Sequence, residues 1–407
     1  MTNEIKNVPE LRFPGFKDEW KENFISEVVD FYSGLTYSPD DITNEKGTFV
    51  IRSSNIKNNR LINADNVYVN LKNLKVEKVD KGDIIVVVRN GSRKLIGKHA
   101  LVSTYLNNTV IGAFMTGIRS DYNLFINALL DTENFKRNIH MNLGATINQI
   151  TTGMFKKMKF YFPKNQEQQI IGDFFSKLDR QIELEEQKLA KLEEQKKGYM
   201  QKIFSQQLRF KDEHSYDYPD WKRTKLINIV TPLKGQDNNI TNLPVLTISA
   251  SRGWLNQKER FSQVIAGNSL KNYTQVKKND LSYNKGNSKV AKYGIVFRLK
   301  NEALVPNVYK SFRPNENIDS IFIEKYFHNK TLDKQLRTRI TSTARTDGLL
   351  NISDQDFYDL KLYIPILQEQ TKIADFLSEL DKLIKKQSDK VELLKDRKKG
   401  FLQKMFV

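Results

Sequence analysis

The side chains in this 407-residue chain best suited to chemistry are donors to an anion. Arg89, Asn90, Gly91, Ser92, Arg93 and Lys94 follow a strongly apolar run, with Lys98 just beyond. Such side chains donate to phosphate oxygens, and arginine or asparagine can make paired hydrogen bonds to guanine or adenine. The second half carries Asn284, Lys285, Gly286, Asn287, Ser288 and Lys289 in the corresponding place, followed by Lys292. A third cluster, Lys334, Arg337, Arg339 and Arg345, lies in KQLRTRITSTAR, whose Ser and Thr suit contacts to a nucleic-acid backbone. Arg52, at the end of an expected strand, joins these as a candidate DNA contact. A plain basic hairpin or a solvated helix face has the same composition. The recurrence of the loop in both halves favours nucleic acid.

Catalytic signatures are mostly missing. There is no GxxxxGK[ST] phosphate loop, no HExxH, no GxSxG, no Gly-rich dinucleotide turn and no Asn-Pro-Pro-aromatic tetrad. With no cysteine, disulfides, thiolate zinc sites and cysteine nucleophiles are excluded, and a reducing compartment fits. The histidines are His99, His140, His214 and His328, none at helical metal spacing with another, so no metal site is expected. Pro39-Asp40-Asp41 and Glu45-Lys46 superficially resemble nuclease carboxylates, but they are too close in sequence and lack a strand between them.

The formal charge of +18 divides as +6 over 1–165, −1 over 166–205, +10 over 206–367 and +3 over 368–407. The excess therefore lies mostly on two globular segments, and a polyanionic partner, nucleic acid first, is the natural expectation. Mean hydropathy is −0.56. No apolar run reaches the ~18 residues of a membrane span, and the N-terminus shows no secretory signal.

An internal repeat must position these loops. Residues 150–204 and 352–406 align without a gap at an offset of 202, with 23 identities over 55 positions. Apolar residues there fall at alternating spacings of four and three, a heptad seam. In the first copy they are Ile171, Phe175, Leu178, Ile182, Leu189, Leu192, Tyr199 and Ile203. In the second they are Ile373, Leu377, Leu380, Ile384, Val391, Leu394, Phe401 and Met405. The seam is interrupted at matching places by Glu185 and Lys196, and by Gln387 and Lys398, which suggests two helices packed on each other in a fixed register. Each follows a proline, Pro163 or Pro365, and an expected strand, Met158–Phe162 or Leu360–Ile364. A helix from Gln166 to Phe204 would be roughly 58 Å long, and Gly198 and Gly400 could weaken its last turns. An antiparallel pair needs no long return connection and would put the globular parts at opposite ends of a rod.

Fainter matches relate residues 51–83 to 248–280, and DEWKENFISEVV (18–29) to PDWKRTKLINIV (219–230). The order is thus domain, helix, domain, helix, with the domains diverged. The expected fold class is mixed α/β (α+β): two globular domains and two long helices forming an antiparallel coiled coil with pseudo-two-fold symmetry. Phe49–Arg52, Ile84–Val88 and Val245–Ile248 are expected strands. Phe125–Leu130 and Ile321–Phe327 could be short helices or buried strands.

Over essentially its whole length the chain resembles the specificity subunits of type I restriction–modification enzymes. The resemblance rests on Pro163-Lys-Asn-Gln-Glu167-Gln168 and Pro365-Ile-Leu-Gln-Glu369-Gln370, and on IGDFFSKLD and IADFLSELD. It rests also on the Gly82-Asp83-Ile84 turn and the closing LEEQKKGYMQKIF and LKDRKKGFLQKMF. Asn279 departs from the pattern where the first half has Gly82, leaving the second turn open. The resemblance implies target-recognition domains at 1–165 and 206–367 and coiled-coil helices at 166–205 and 368–407. Each domain would read half of a bipartite, asymmetric site in double-stranded DNA. The helices would set the spacing and dock two methyltransferase subunits. It also implies that this cytoplasmic, non-membrane chain is non-catalytic and holds no cofactor. S-adenosylmethionine, ATP and Mg²⁺ would be used by the methyltransferase and motor/nuclease subunits. Two other readings remain: a coiled-coil scaffold whose basic domains bind RNA or protein, and a stand-alone nuclease.

Overall fold

The computed structural model describes residues 7–70, 76–143, 148–236, 242–260, 267–286, 291–340 and 350–407. The chain divides into two compact units, Met1–Gln187 with Asp389–Val407, and Lys188–Ser388. Each is a mixed α/β body that includes part of both long helices. The first long helix runs Asn165–Phe204 and the second Leu367–Met405, both continuous through Gly198 and Gly400.

The two units repeat one framework. In the first, a four-stranded antiparallel sheet has the spatial order Asp30–Ser33, Met115–Arg119, Ile84–Val87, His99–Leu101. In the second the order is Val230–Leu233, Lys310–Pro314, Leu281–Asn284, Ile295–Arg298. The central strand Ile84–Val87 of the first sheet is wholly apolar because both faces are covered; its four residues are completely buried, as are Leu281 and Ser282 of its counterpart. Just before it, Gly82 and Asn279 both take left-handed backbone, at φ 99° and 75°. Asparagine tolerates that region, so the second turn keeps the geometry of the first. The aspartates that follow are buried and paired alike: Asp83 with Arg119 at 2.9 Å, Asp280 with Arg313 at 2.7 Å. The ambiguous segments Phe125–Leu130 and Ile321–Phe327 are helical, within Asn123–Leu130 and Ser320–His328.

A two-stranded antiparallel sheet closes the base of each unit. Lys21–Phe24 pairs with Lys159–Phe162, and Lys222–Lys225 with Lys361–Ile364. The repeated Glu-Gln motif explains itself here. Glu167 is 1% exposed and accepts from Arg12 Nε and Nη2 at 2.7 and 2.8 Å. Glu369 is fully buried and accepts from Arg209 Nε and Nη2 at 3.1 and 2.7 Å, and from the Trp221 indole at 3.1 Å. The next residue, Gln168 or Gln370, donates to the carbonyl of Pro163 or Pro365 at 2.9 Å, satisfying a backbone group at the helix start. Leu11-Arg12-Phe13 and Leu208-Arg209-Phe210 are thus a second repeat, and Phe13 and Phe210 pack edge-on against Phe174 and Phe376.

The helices pair antiparallel within each unit. In the first, Phe174 meets Phe401 and Phe175 meets Phe406; in the second, Tyr199 meets Phe376. Ile171, Phe175, Ile182, Ile203, Ile373, Leu377, Val391, Leu394 and Met405 are buried, and Leu178, Leu189, Leu192, Leu380, Ile384 and Phe401 are half-buried. Tyr199 is 39% exposed while its ring still covers Phe376. Three of the four interrupting residues are ion-paired: Glu185 with Lys390 at 2.8 Å, Lys398 with Asp179 at 2.6 Å, and Lys196 with Asp381.

Arg209→Ala should strand the Glu369 carboxylate in the core and cost about 3–5 kcal/mol, measured by urea unfolding. An aspartate at fully buried Leu377 should cost several kcal/mol, and one at half-buried Leu178 less. Equal losses at the two positions would contradict the burial assigned to the seam.

Candidate nucleic-acid interface

In the first unit the candidate loop is built around Ser53, a residue absent from the sequence-based set. The Thr48–Ile51 strand delivers Arg52 and a single 3-10 turn, Ser53–Asn55, beside it. Asn90 Nδ2 donates to Ser53 Oγ at 2.9 Å, and Lys98 Nζ to the Ser53 carbonyl at 3.4 Å. Asn90 Oδ1 accepts from the Ser92 backbone at 3.0 Å, so this amide holds the loop in shape. Arg52 Nη2 donates to the Asp65 carbonyl at 2.5 Å and Arg93 Nη2 to the Leu143 carbonyl at 3.2 Å. Burial lowers the Lys98 ammonium from its ordinary value. Arg89, Ser92, Arg93 and Lys94 are exposed, and the Arg89 guanidinium lies 4.9 Å from the Phe114 ring centroid.

The second unit also ties its loop with an asparagine, three places earlier in strand register. Asn284 ends the central strand, its Nδ2 donating to the Ile248 carbonyl at 3.2 Å and its Oδ1 accepting from the Gly286 backbone at 3.0 Å. The carbonyl of Lys285 accepts from the Leu350 backbone at 2.8 Å. Lys292 is exposed, 5.7 Å from the Tyr293 ring centroid. Asn287, Ser288, Lys289 and Arg345 lie outside the described residues. Lys334 and Arg337 are exposed on the Asp333–Arg339 helix, while Arg339 Nη1 donates to the Gln335 carbonyl at 3.3 Å. Gln335 pins that helix to the sheet at the base, giving and taking hydrogen bonds with the Lys361 backbone at 2.8 and 3.0 Å. The structure therefore gathers Arg52, Asn90 and Lys98 around one residue. No described contact joins the 334–339 cluster to the 284–292 loop.

Buried ionic joints fix each domain on the helix pair. In the first unit Lys398 reaches Asp131 as well as Asp179, both at 2.6 Å. Burial pulls the Lys398 ammonium down, but the two carboxylates raise it on balance. Asp179 has to share that ammonium with Asp131, and burial lifts its carboxyl above the ordinary range. In the second unit the signs are exchanged: Asp381 is shared by Lys325, at 2.6 Å, and Lys196. Burial opposes its charge, yet the two lysines lower it. A histidine lies beside each joint, His99 with Nε2 3.4 Å from Asp131, and His328 with Nε2 2.7 Å from the Val296 carbonyl.

Of the carboxylates at 39–45, Asp41 has a structural use. Asp41 accepts from the Ser38 backbone at 2.6 Å and caps the Pro39–Asp41 turn. Among the described residues no cluster of His, Cys, Asp and Glu could hold a metal ion, and no helix is long and apolar enough to cross a membrane.

Burial pushes both His99 and His328 below 6.5. The unfolded chain therefore takes up protons first as pH falls, and stability is lost below about 6.5. Urea midpoints should drop between pH 7 and pH 5, and the drop should shrink in His99→Gln/His328→Gln. A pH-independent midpoint would contradict the buried, neutral state of both rings.

The comparisons with known proteins agree with this duplicated framework. The description "Type I restriction modification DNA specificity domain" matches residues 17–194 and again 220–393. The chain is 24% identical over 385 residues to the type I restriction enzyme EcoKI specificity subunit of Escherichia coli (strain K12), covering 88% of this chain and 81% of that protein. It is 23% identical over 393 residues to the StySPI specificity subunit of Salmonella potsdam, covering 89% and 82%. The crystal structure of a type I restriction–modification S subunit from M. genitalium shares the fold with a TM-score of 0.61 at 17% identity, over 98% of this chain and 99% of that one. With two matched segments that span most of its length, the chain belongs to the family of type I restriction–modification DNA specificity subunits.

Proposed function

We propose that this subunit selects a bipartite, asymmetric site in double-stranded DNA, each domain reading one half. One observation carries the proposal: the two units share strand order, turn and base, but present different side chains on the same loop. A common frame with different donors suits two related but unequal half-sites. The recognition domains at 1–165 and 206–367 would read, and the helices at 166–205 and 368–407 would space them and dock two methyltransferase subunits. Those subunits would bring S-adenosylmethionine, and motor/nuclease subunits would bring ATP and Mg²⁺. This chain would supply sequence choice in the cytoplasm and no chemistry of its own.

The spacing role can be tested at the boundary between the units. One heptad inserted after Gln187 and another after Ser388 leaves the ionic joints of both units intact and preserves the seam. Seven helical residues add roughly 10 Å, or about three base pairs. The methylated site should keep both half-sequences and gain about three bases in the gap. Altered half-sequences with an unchanged gap would show that the helices do not measure the spacing.

A further inference from the structure

We infer that Arg89, held against Phe114, is the base-reading residue of the first domain and recognises a guanine in its half-site. This deepens the proposed reading and rests on it. Three observations converge on the pair.

The first is the fate of the guanidinium donors. Arg52 and Arg93 each give a donor to a backbone carbonyl. Arg89 has no hydrogen bond or ion pair through its guanidinium among the described residues, and it sits on the face of Phe114 instead. A ring face orients a guanidinium without consuming its N–H groups. The fork that pairs with guanine O6 and N7 is left whole.

The second is the rigidity of the mount. The Val88 and Arg89 backbone N–H groups both donate to the Phe114 carbonyl, at 3.0 and 3.2 Å. Gln149 bridges Arg89 from the other side. Gly112, two residues before Phe114, donates to the Ile51 carbonyl at 2.9 Å, so the pair lies beside the strand end that leads through Arg52 to Ser53. Phe114 is nonetheless 51% exposed. A large ring left in water at a fixed point of a basic surface is accounted for by what it supports.

The third is divergence at matching places. Ile84 lies opposite Ile118 in the first sheet, and Leu281 opposite Phe312 in the second. Counting from these pairs, Arg89 corresponds to Gly286 and Phe114 to Val308. The framework is retained, while this one reading element is present in one domain and absent from the other. Residues that make two related domains read different sequences should differ in this way. Phe114 is thus a positioning residue, acting through Arg89.

The test uses the full chain assembled with its methyltransferase subunits, on duplexes carrying each single base-pair change in the methylated site. Arg89→Ala should lose about tenfold or more of discrimination at one G·C pair and leave the other positions unchanged. Arg89→Lys should fail to restore it, because lysine lacks the fork. Phe114→Leu should lose several-fold at that same pair, and Phe114→Tyr should retain it, with melting temperatures confirming folded protein. If Arg89→Ala weakens all duplexes equally and Arg89→Lys recovers them, Arg89 is a phosphate contact and the inference falls while the proposed function stands. If Phe114→Leu changes nothing, the positioning role falls. A wild-type complex that discriminates among no duplexes would sink the proposed function and this inference together.

Discussion

Two buried carboxylates, Glu167 and Glu369, set the terms for the rest of the structure. Each begins a long helix inside an apolar environment, and each would be untenable there without a guanidinium. The partners, Arg12 and Arg209, come from chain that precedes the whole intervening domain. The clamp therefore joins the beginning of each domain to its end, and the two-stranded sheet beside it does the same. A domain closed at its base can vary at its far loops without disturbing the helix start. This is why the repeated segments that contain the helices still match at 23 of 55 positions while the loops carry different donors.

The joints between domain and helix follow the same logic with freer chemistry. The equivalent helix pairs Asp179–Lys398 and Asp381–Lys196 each contain one charge of either sign. The first domain adds a carboxylate, Asp131, and the second an ammonium, Lys325. Either addition is accommodated because the helix pair already holds a counter-charge of the required sign. The outcome is a socket fixed in position but tolerant of which residue fills it.

Much of this was legible in the sequence. The heptad spacing located both helices to within a residue or two, since seam burial and period are the same fact seen twice. The antiparallel sense followed from connection length. The central strand of the first unit was visible as a continuous apolar run. The sequence did not show what Asn279 would do, because glycine and asparagine differ in steric freedom and only the observed φ of 75° shows that asparagine took the left-handed turn. The Leu-Arg-Phe repeat recurs at an offset of 197, but a lone arginine carries no periodic signal, and its use shows only in the buried Glu167 and Glu369. Charge alone could not rank Arg52, Arg89 and Arg93. That ranking depends on which guanidinium meets a carbonyl and which meets a ring, a matter of tertiary neighbours such as Phe114, Asp65 and Leu143.

Under the proposed function, one duplicated framework carries two different reading surfaces. Methylome sequencing of a host that carries the chain with its methyltransferase subunits tests it most directly. The account predicts a motif of two unlike half-sequences separated by a non-specific gap. A single uninterrupted motif, or a palindrome of two identical halves, would contradict it.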